Sequence, residues 1–287
     1  MTPPAVGVLG YDRIGKRVAD ALARHPELSL AGVYDVDPRR RALVRARELP
    51  LAGGDLERWA ATCAVVVICQ EWAPILTVPW VLAPELPIAC PLFGPGGAAP
   101  SRTHLRVACA DALAFARLLL AVGPAERLFS SCARRAGHAT EHRSASVDAL
   151  EPLFELPRED YDLQTLLTPL VPSVYVRRTR VPYTHSHLHH LKIDFAAPPS
   201  REAILDALRR QSRVRVAAAA AGFPDTAHVQ EYDRDLGRLR GDRPEVFVWE
   251  ETVAVVGRSL VLTADVSPDA APVPDILDAV RLLALGR

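Results

Sequence analysis

The chain has 287 residues, 49 % of them apolar and 24 % charged, with a formal net charge of zero. That is long enough for two domains with real cores, and it offers no electrostatic case for nucleic acid or an anionic membrane surface as a partner. The start MTPPAVGV lacks a leader pattern, no apolar run is long enough to span a bilayer, and five cysteines without paired spacing fit a reduced, cytoplasmic protein rather than a disulfide framework.

Val6–Leu9 reads as a first strand. Gly10 to Gly15 follow as a turn. A helix from Ile14 to about Arg24 puts Ile14, Val18, Ala21 and Leu22 on one face, and Leu28–Tyr34 is a second strand ending before Asp35. This is the opening βαβ unit of a dinucleotide-binding domain, in which a glycine turn lets a pyrophosphate approach a helix N-terminus. The usual G-x-G-x-x-G stands here as Gly10-Tyr11-Asp12-Arg13-Ile14-Gly15, with Asp12 at the central glycine. Gly10, Tyr11, Arg13, Ile14 and Gly15 are the candidate pyrophosphate contacts. Asp35 is the candidate acceptor for ribose hydroxyls, which favours NAD over NADP. The Asp37-Pro38 pair reads as a turn.

Ala64–Ile68 is a short continuous apolar run, as in a parallel strand buried on both faces. Pro87–Phe93 and Leu105–Ala108 are further strands, with a Gly/Pro loop at Phe93–Pro100. After Cys109 the pattern changes. A helix over Asp111–Val122 is followed by strands at Arg127–Arg134, Ser173–Thr184, His187–Phe195, Val214–Ala219, Glu245–Trp249 and Thr252–Asp265, the last turning at Gly257. Helices fall at about 200–211 and 226–238, and an apolar helix at Pro274–Leu285 closes the chain. The expected architecture is α/β: a Rossmann-like domain over 1–108, an α+β catalytic domain over 109–271, and a C-terminal helix at 272–287 that returns to the first domain.

Cys109 lies between a strand and a helix, where a helix dipole favours the thiolate. It is therefore a candidate nucleophile; a buried structural thiol is the alternative. Thr184–Leu191 holds histidines at 185, 187, 189 and 190. On a strand, His185, His187 and His189 share a face, which suits a general base, a zinc site or a plain histidine-rich strand. The assignment favoured is catalysis, with no metal. Arg134 and Arg135 end a strand and suit an anionic substrate group, although a solvated strand end reads the same way.

In this order the features resemble the archaeal-type phosphorylating glyceraldehyde-3-phosphate dehydrogenases. GYDRIGKRVADAL resembles that family's GYGTIGKRVADA segment. LRVACADALAFARLL resembles its strand, SCNTT cysteine and helix; ARRAG resembles its VRRAAD strand; THSHLHHLKI resembles its HMH-type strand. RPEVFVWEETVAVVGRSLVL and VPDILDAVRLL resemble its closing hairpin and last helix. The resemblance implies Cys109 as nucleophile, His185 as base with His187 as the fallback if the register slips by two, Arg134 or Arg135 on the substrate anion, and a homodimer or homotetramer.

It also implies NAD, but the departures count against that. Asp12 replaces the central glycine, and the asparagine that orients the nicotinamide falls at Ile276. Ala110-Asp111-Ala112 stands for Asn-Thr-Thr, and Glu159-Asp160 stands for paired histidines near the phosphate. The resulting expectation is a cysteine-dependent aldehyde or acyl-thioester oxidoreductase with an altered small or carrier-bound substrate. The alternatives are a non-redox acyl-transfer enzyme that has lost the nicotinamide site and a non-catalytic or metal-binding scaffold.

Overall fold

Residues 2–70, 76–84, 104–135, 150–153, 157–183 and 185–286 are described by a computed structural model, the side chains of 157–159 excepted. The elements expected over Pro87–Phe93 and Phe93–Pro100 lie outside the described residues, as do Cys90, Thr184 and the side chain of Glu159. By internal packing the chain divides into two compact units, Met1–Ala108 with Pro272–Arg287, and Cys109–Ala271.

The first unit begins with β1 (Ala5–Leu9), α1 (Arg13–Leu22) and β2 (Ser29–Tyr34). Then come α2 (Pro38–Ala46), α3 (Leu56–Ala60), β3 (Val65–Ile68), β4 (Trp80–Leu82) and β5 (His104–Arg106). The strands form one parallel sheet in the order β2-β1-β3-β4-β5. All four residues of β3 are buried, because helices cover both faces of such a sheet and leave no polar side. On α1 the stripe of Ile14, Val18 and Leu22 is 1 % exposed or less. Each such side chain contributes about 1.5–3 kcal/mol.

Asp37-Pro38 proves to be a helix start: the Asp37 carboxylate accepts from Arg39 N, and Pro38 needs no amide partner in the first turn. The reading as a turn missed α2 because its face is largely polar. β4 escaped notice because three residues are too few for a pattern.

The second unit holds α4 (Ala110–Val122), β6 (Arg127–Arg135), β7 (Glu151–Leu153), α5 (Pro157–Leu167), β8 (Val174–Val181), β9 (His187–Asp194) and α6 (Arg201–Arg210). It continues with β10 (Val214–Ala217), α7 (Thr226–Asp235), β11 (Val246–Trp249), β12 (Ala254–Val256) and β13 (Ser259–Val266). The mixed sheet runs β10-β11-β13-β9-β6-β8-β7, with β12 hairpinned onto β13 through Gly257 at φ +59°. The last helix, α8 (Val273–Leu285), belongs to the first unit, where it packs on α1, β3 and β4. This is an α/β chain with a Rossmann-type sheet and a second, mixed sheet.

Candidate active site

In β9 the sequence HLHHLKID alternates strictly. His187, His189, Leu191 and Ile193 are buried, and their neighbours face outward. Helix α4 covers the buried side, with Phe115 meeting the His189 ring edge-on at 4.9 Å. Cys109 is the N-cap of α4 and is partly exposed. Its amide donates to Asp162 Oδ2 of α5 at 2.7 Å.

Two residues further on, Asp111 turns its carboxylate into the sheet. Asp111 Oδ1 lies 3.0 Å from His187 Nδ1 and 3.2 Å from His189 Nε2. His189 Nδ1 is 3.0 Å from Ser130 Oγ, and its Nε2 is 3.7 Å from Cys132 Sγ. The register explains the meeting: β6 lies beside β9 with Cys132 opposite His189, so the even-numbered residues of β6 share the face of the two histidines.

Burial works against the Asp111 anion, but the two imidazoles outweigh it and hold the carboxyl well below its usual range. An ionised carboxylate only accepts, so both facing ring nitrogens carry protons. Burial also opposes charge on His189, yet Cys132 and Asp111 push it up to about 10. These partners favour the charged form of His189, which donates to Asp111 through Nε2 and to Ser130 through Nδ1. His187 goes the opposite way. Burial lowers it, helped by Arg134 and His189, against the pull of Asp111. A neutral His187 with Nδ1–H on Asp111 keeps its lone pair on Nε2, the atom that can accept a proton.

Asp111, Cys132, His187 and His189 each present a donor atom within 4.8 Å of the others, close enough to hold a metal ion. The same side chains also form a hydrogen-bonded network with Ser130.

His185 lies elsewhere. It precedes β9, is exposed, and its Nδ1 meets Gln230 Nε2 of α7 at 2.9 Å. Helix α7 packs Val229 with Leu188 and Phe247, on the side of the sheet away from His187 and His189. The expectation that His185, His187 and His189 share a face is thus corrected to His187 and His189, because the strand begins only at His187. Burial and the nearby Arg234 and Arg135 lower His185, but α7 separates it from the α4 side.

The two arginines also part. Arg135 is forked onto Asp269 by bonds of 3.0 and 2.7 Å, both side chains being about 5 % exposed, which ties up its guanidinium in the fold. Arg134, on the opposite face of β6, is close enough to depress His187. Asp160 is bound to Arg178 at 2.9 Å. Asp162, Ser130 and Cys132 were not singled out from sequence. The alternation Ser130-x-Cys132-x-Arg134 was the available signal, and it became meaningful only once β6 lay beside β9.

In the first unit, Gly10 has φ +94°, and Tyr11 N donates to Asp35 Oδ2 at 2.6 Å. Asp35 Oδ1 accepts from Asp37 N at 2.8 Å, and the residue is 2 % exposed. Asp12 Oδ1 caps α1, accepting from Ile14 N at 3.1 Å and Gly15 N at 2.7 Å. The amides that would hold a pyrophosphate are spent on carboxylates, so this donor set does not fit one. Ile276 is fully buried in α8, and its side chain has no hydrogen-bonding group.

No family model matches the chain. Curated relatives do, at nearly full length. The glyceraldehyde-3-phosphate dehydrogenase of Pyrobaculum islandicum is 26 % identical over 316 residues, covering 96 % of this chain and 91 % of the relative. That of Pyrobaculum calidifontis is 28 % identical over 321 residues, covering 98 % and 92 %. Over nearly its full length the chain is similar to archaeal glyceraldehyde-3-phosphate dehydrogenases. The chain shares its fold with aspartate semialdehyde dehydrogenase II from Vibrio cholerae, with a TM-score of 0.69, 13 % identity and 99 % of each chain covered. Among the described residues, no helix is long and apolar enough to cross a membrane.

Proposed function

We propose that this chain performs acyl transfer through a thioester on Cys109, with His187 as the proton acceptor and Asp111 orienting His187. The observation that carries this reading is the 3.0 Å contact from His187 Nδ1 to Asp111. It leaves Nε2 as the basic atom, on the side of the sheet covered by the helix that Cys109 begins. A nucleophile, a base and a carboxylate that fixes the base's tautomer form the triad logic of acyl transfer. The Cys109 sulfur attacks the acyl carbon while its proton goes to His187. The leaving group departs with that proton, and a second nucleophile, water or an acceptor, then breaks the S–C bond. No hydride moves.

The substrate is read as lacking a phosphate. Asp162 holds the Cys109 amide and Asp111 stands in the first turn, so negative charge already occupies the N-terminus of α4. A small or carrier-bound acyl thioester fits these constraints, and the setting proposed is cytoplasmic. The likeness to dehydrogenases over nearly the whole chain favours a second reading, NAD-dependent oxidation of an uncharged aldehyde by the same cysteine.

Intact-protein mass spectrometry with uncharged short acyl thioesters tests the first reading. One acyl adduct is expected, without nucleotide, and none in Cys109→Ala. An adduct that forms only from an aldehyde plus NAD would replace acyl transfer by the oxidative reading. Absence of any adduct on Cys109 under both conditions would end both.

A further inference from the structure

In the opening turn the three glycine positions have separate physical tasks. At Gly10 the backbone is left-handed, with φ +94°, which disfavours a side chain. At Gly15 a Cβ would lie 1.9 Å from Gly10 O, so helix and strand could not approach. Both requirements belong to the turn itself, and both glycines remain. The middle position is different. Asp12 has φ −82° and ψ −160°, extended backbone open to any residue. A glycine there serves only a ligand that must come close. That position alone has changed, and it has changed to an anion.

From this we infer that Asp12 is an internal substitute for the pyrophosphate and that it bars dinucleotides from the first unit. Its carboxylate takes Ile14 N and Gly15 N, the pair of amides at the positive end of α1. The neighbouring donor, Tyr11 N, goes to Asp35. A capping aspartate is ordinary at a helix start. What sets this one apart is its place at the end of the first parallel strand, between two glycines that still shape a phosphate turn. An incoming pyrophosphate would have to displace one carboxylate and approach a second, Asp35, with like charge. The βαβ unit is thus complete without a nucleotide, and one residue determines this. The inference concerns the first unit only and stands whether or not Cys109 is acylated.

Isothermal titration with NAD and with NADP tests it on the wild-type chain, Asp12→Gly and Asp12→Asn, with thermal unfolding as the check on folding. The wild type is expected to show no saturable heat up to millimolar nucleotide. Asp12→Gly keeps an acceptable N-cap residue and is expected to bind NAD at least tenfold more tightly than the wild type. Asp12→Asn keeps the cap without the charge and is expected to fall between the two. Micromolar binding by the wild type would overturn the inference. So would a folded Asp12→Gly chain with no gain. If Asp12→Gly does not fold, a folded Asp12→Asn chain without any gain would overturn it as well. Repeating the titrations on a Cys109→Ala background separates this result from the chemistry at Cys109, because the nucleotide response should be unchanged.

Discussion

Asp111 lies between two histidines that shift in opposite directions. Burial opposes charge on His189, but Cys132 and then Asp111 favour it, whereas burial lowers His187 against the pull of Asp111. The linkage for His189 follows from a folded pKa of about 10 against an ordinary value near 6.5. A raised folded pKa contributes stability that is fully present below the ordinary value and is lost as pH rises through about 10. Urea unfolding at pH 6, 8 and 9.5 should therefore show a falling midpoint, with a shallower fall in His189→Gln; parallel curves would show that His189 is neutral in the fold. For His187 the sign is reversed. Its lowered folded pKa means that acidification must force a charge into a buried site, so stability falls as pH drops below about 6.5. The chemistry at this scale was only partly legible in the sequence. Cys109 and the histidine spacing could be read directly. The partners Ser130, Cys132 and Asp162 could not, because they lie between 53 and 59 residues away in chain order from the groups they bond, and no local pattern marks them.

At the scale of elements, local patterns were informative wherever a period was long enough to count. The first strand and helix, the β9 alternation, the β12–β13 hairpin at Gly257 and the last helix follow hydrophobic spacing that burial in the fold enforces. The elements missed were short or largely polar: α2, α3, β4, β7 and α5. His185 was misjudged for a related reason. A side chain's face can be counted only from inside a strand, and this strand starts two residues later. The turn between β1 and α1 tolerates change unequally along its length. Gly15→Ala would drive a methyl against Gly10 O, a backbone atom that cannot swing aside. Thermal and urea unfolding of that variant should show a loss of about 3 kcal/mol, the upper end of an overpacking penalty. A loss under 1 kcal/mol would show that the turn has room to shift.

At the scale of the whole molecule, the family likeness and the local departures carry different information. Fold and lineage are spread over many weakly constrained positions, so they survive at 26–28 % identity. Ligand contacts rest on a few atoms, and the chain departs from the resembled pattern at several of those positions: Asp12 in one unit, Asp111 and Asp160 in the other. Deleting residues 273–286 would uncover the side of the first unit on which α8 lies and remove the fully buried Ile276 and Val280. Large side chains of this kind contribute about 1.5–3 kcal/mol each. Limited proteolysis of the truncated chain should cut first within 2–70, while fragments from 109–271 persist.

The first unit is built from segments on either side of the second unit in chain order. On the ribosome, β1, α1 and β2 emerge before the second unit, yet the helix that packs on α1 is translated only after it. A chain stalled near residue 271 would hold every strand of the second unit and still lack α8. The unit synthesised first is therefore the one completed last, and throughout elongation α1 presents an apolar stripe that nascent-chain chaperones can bind.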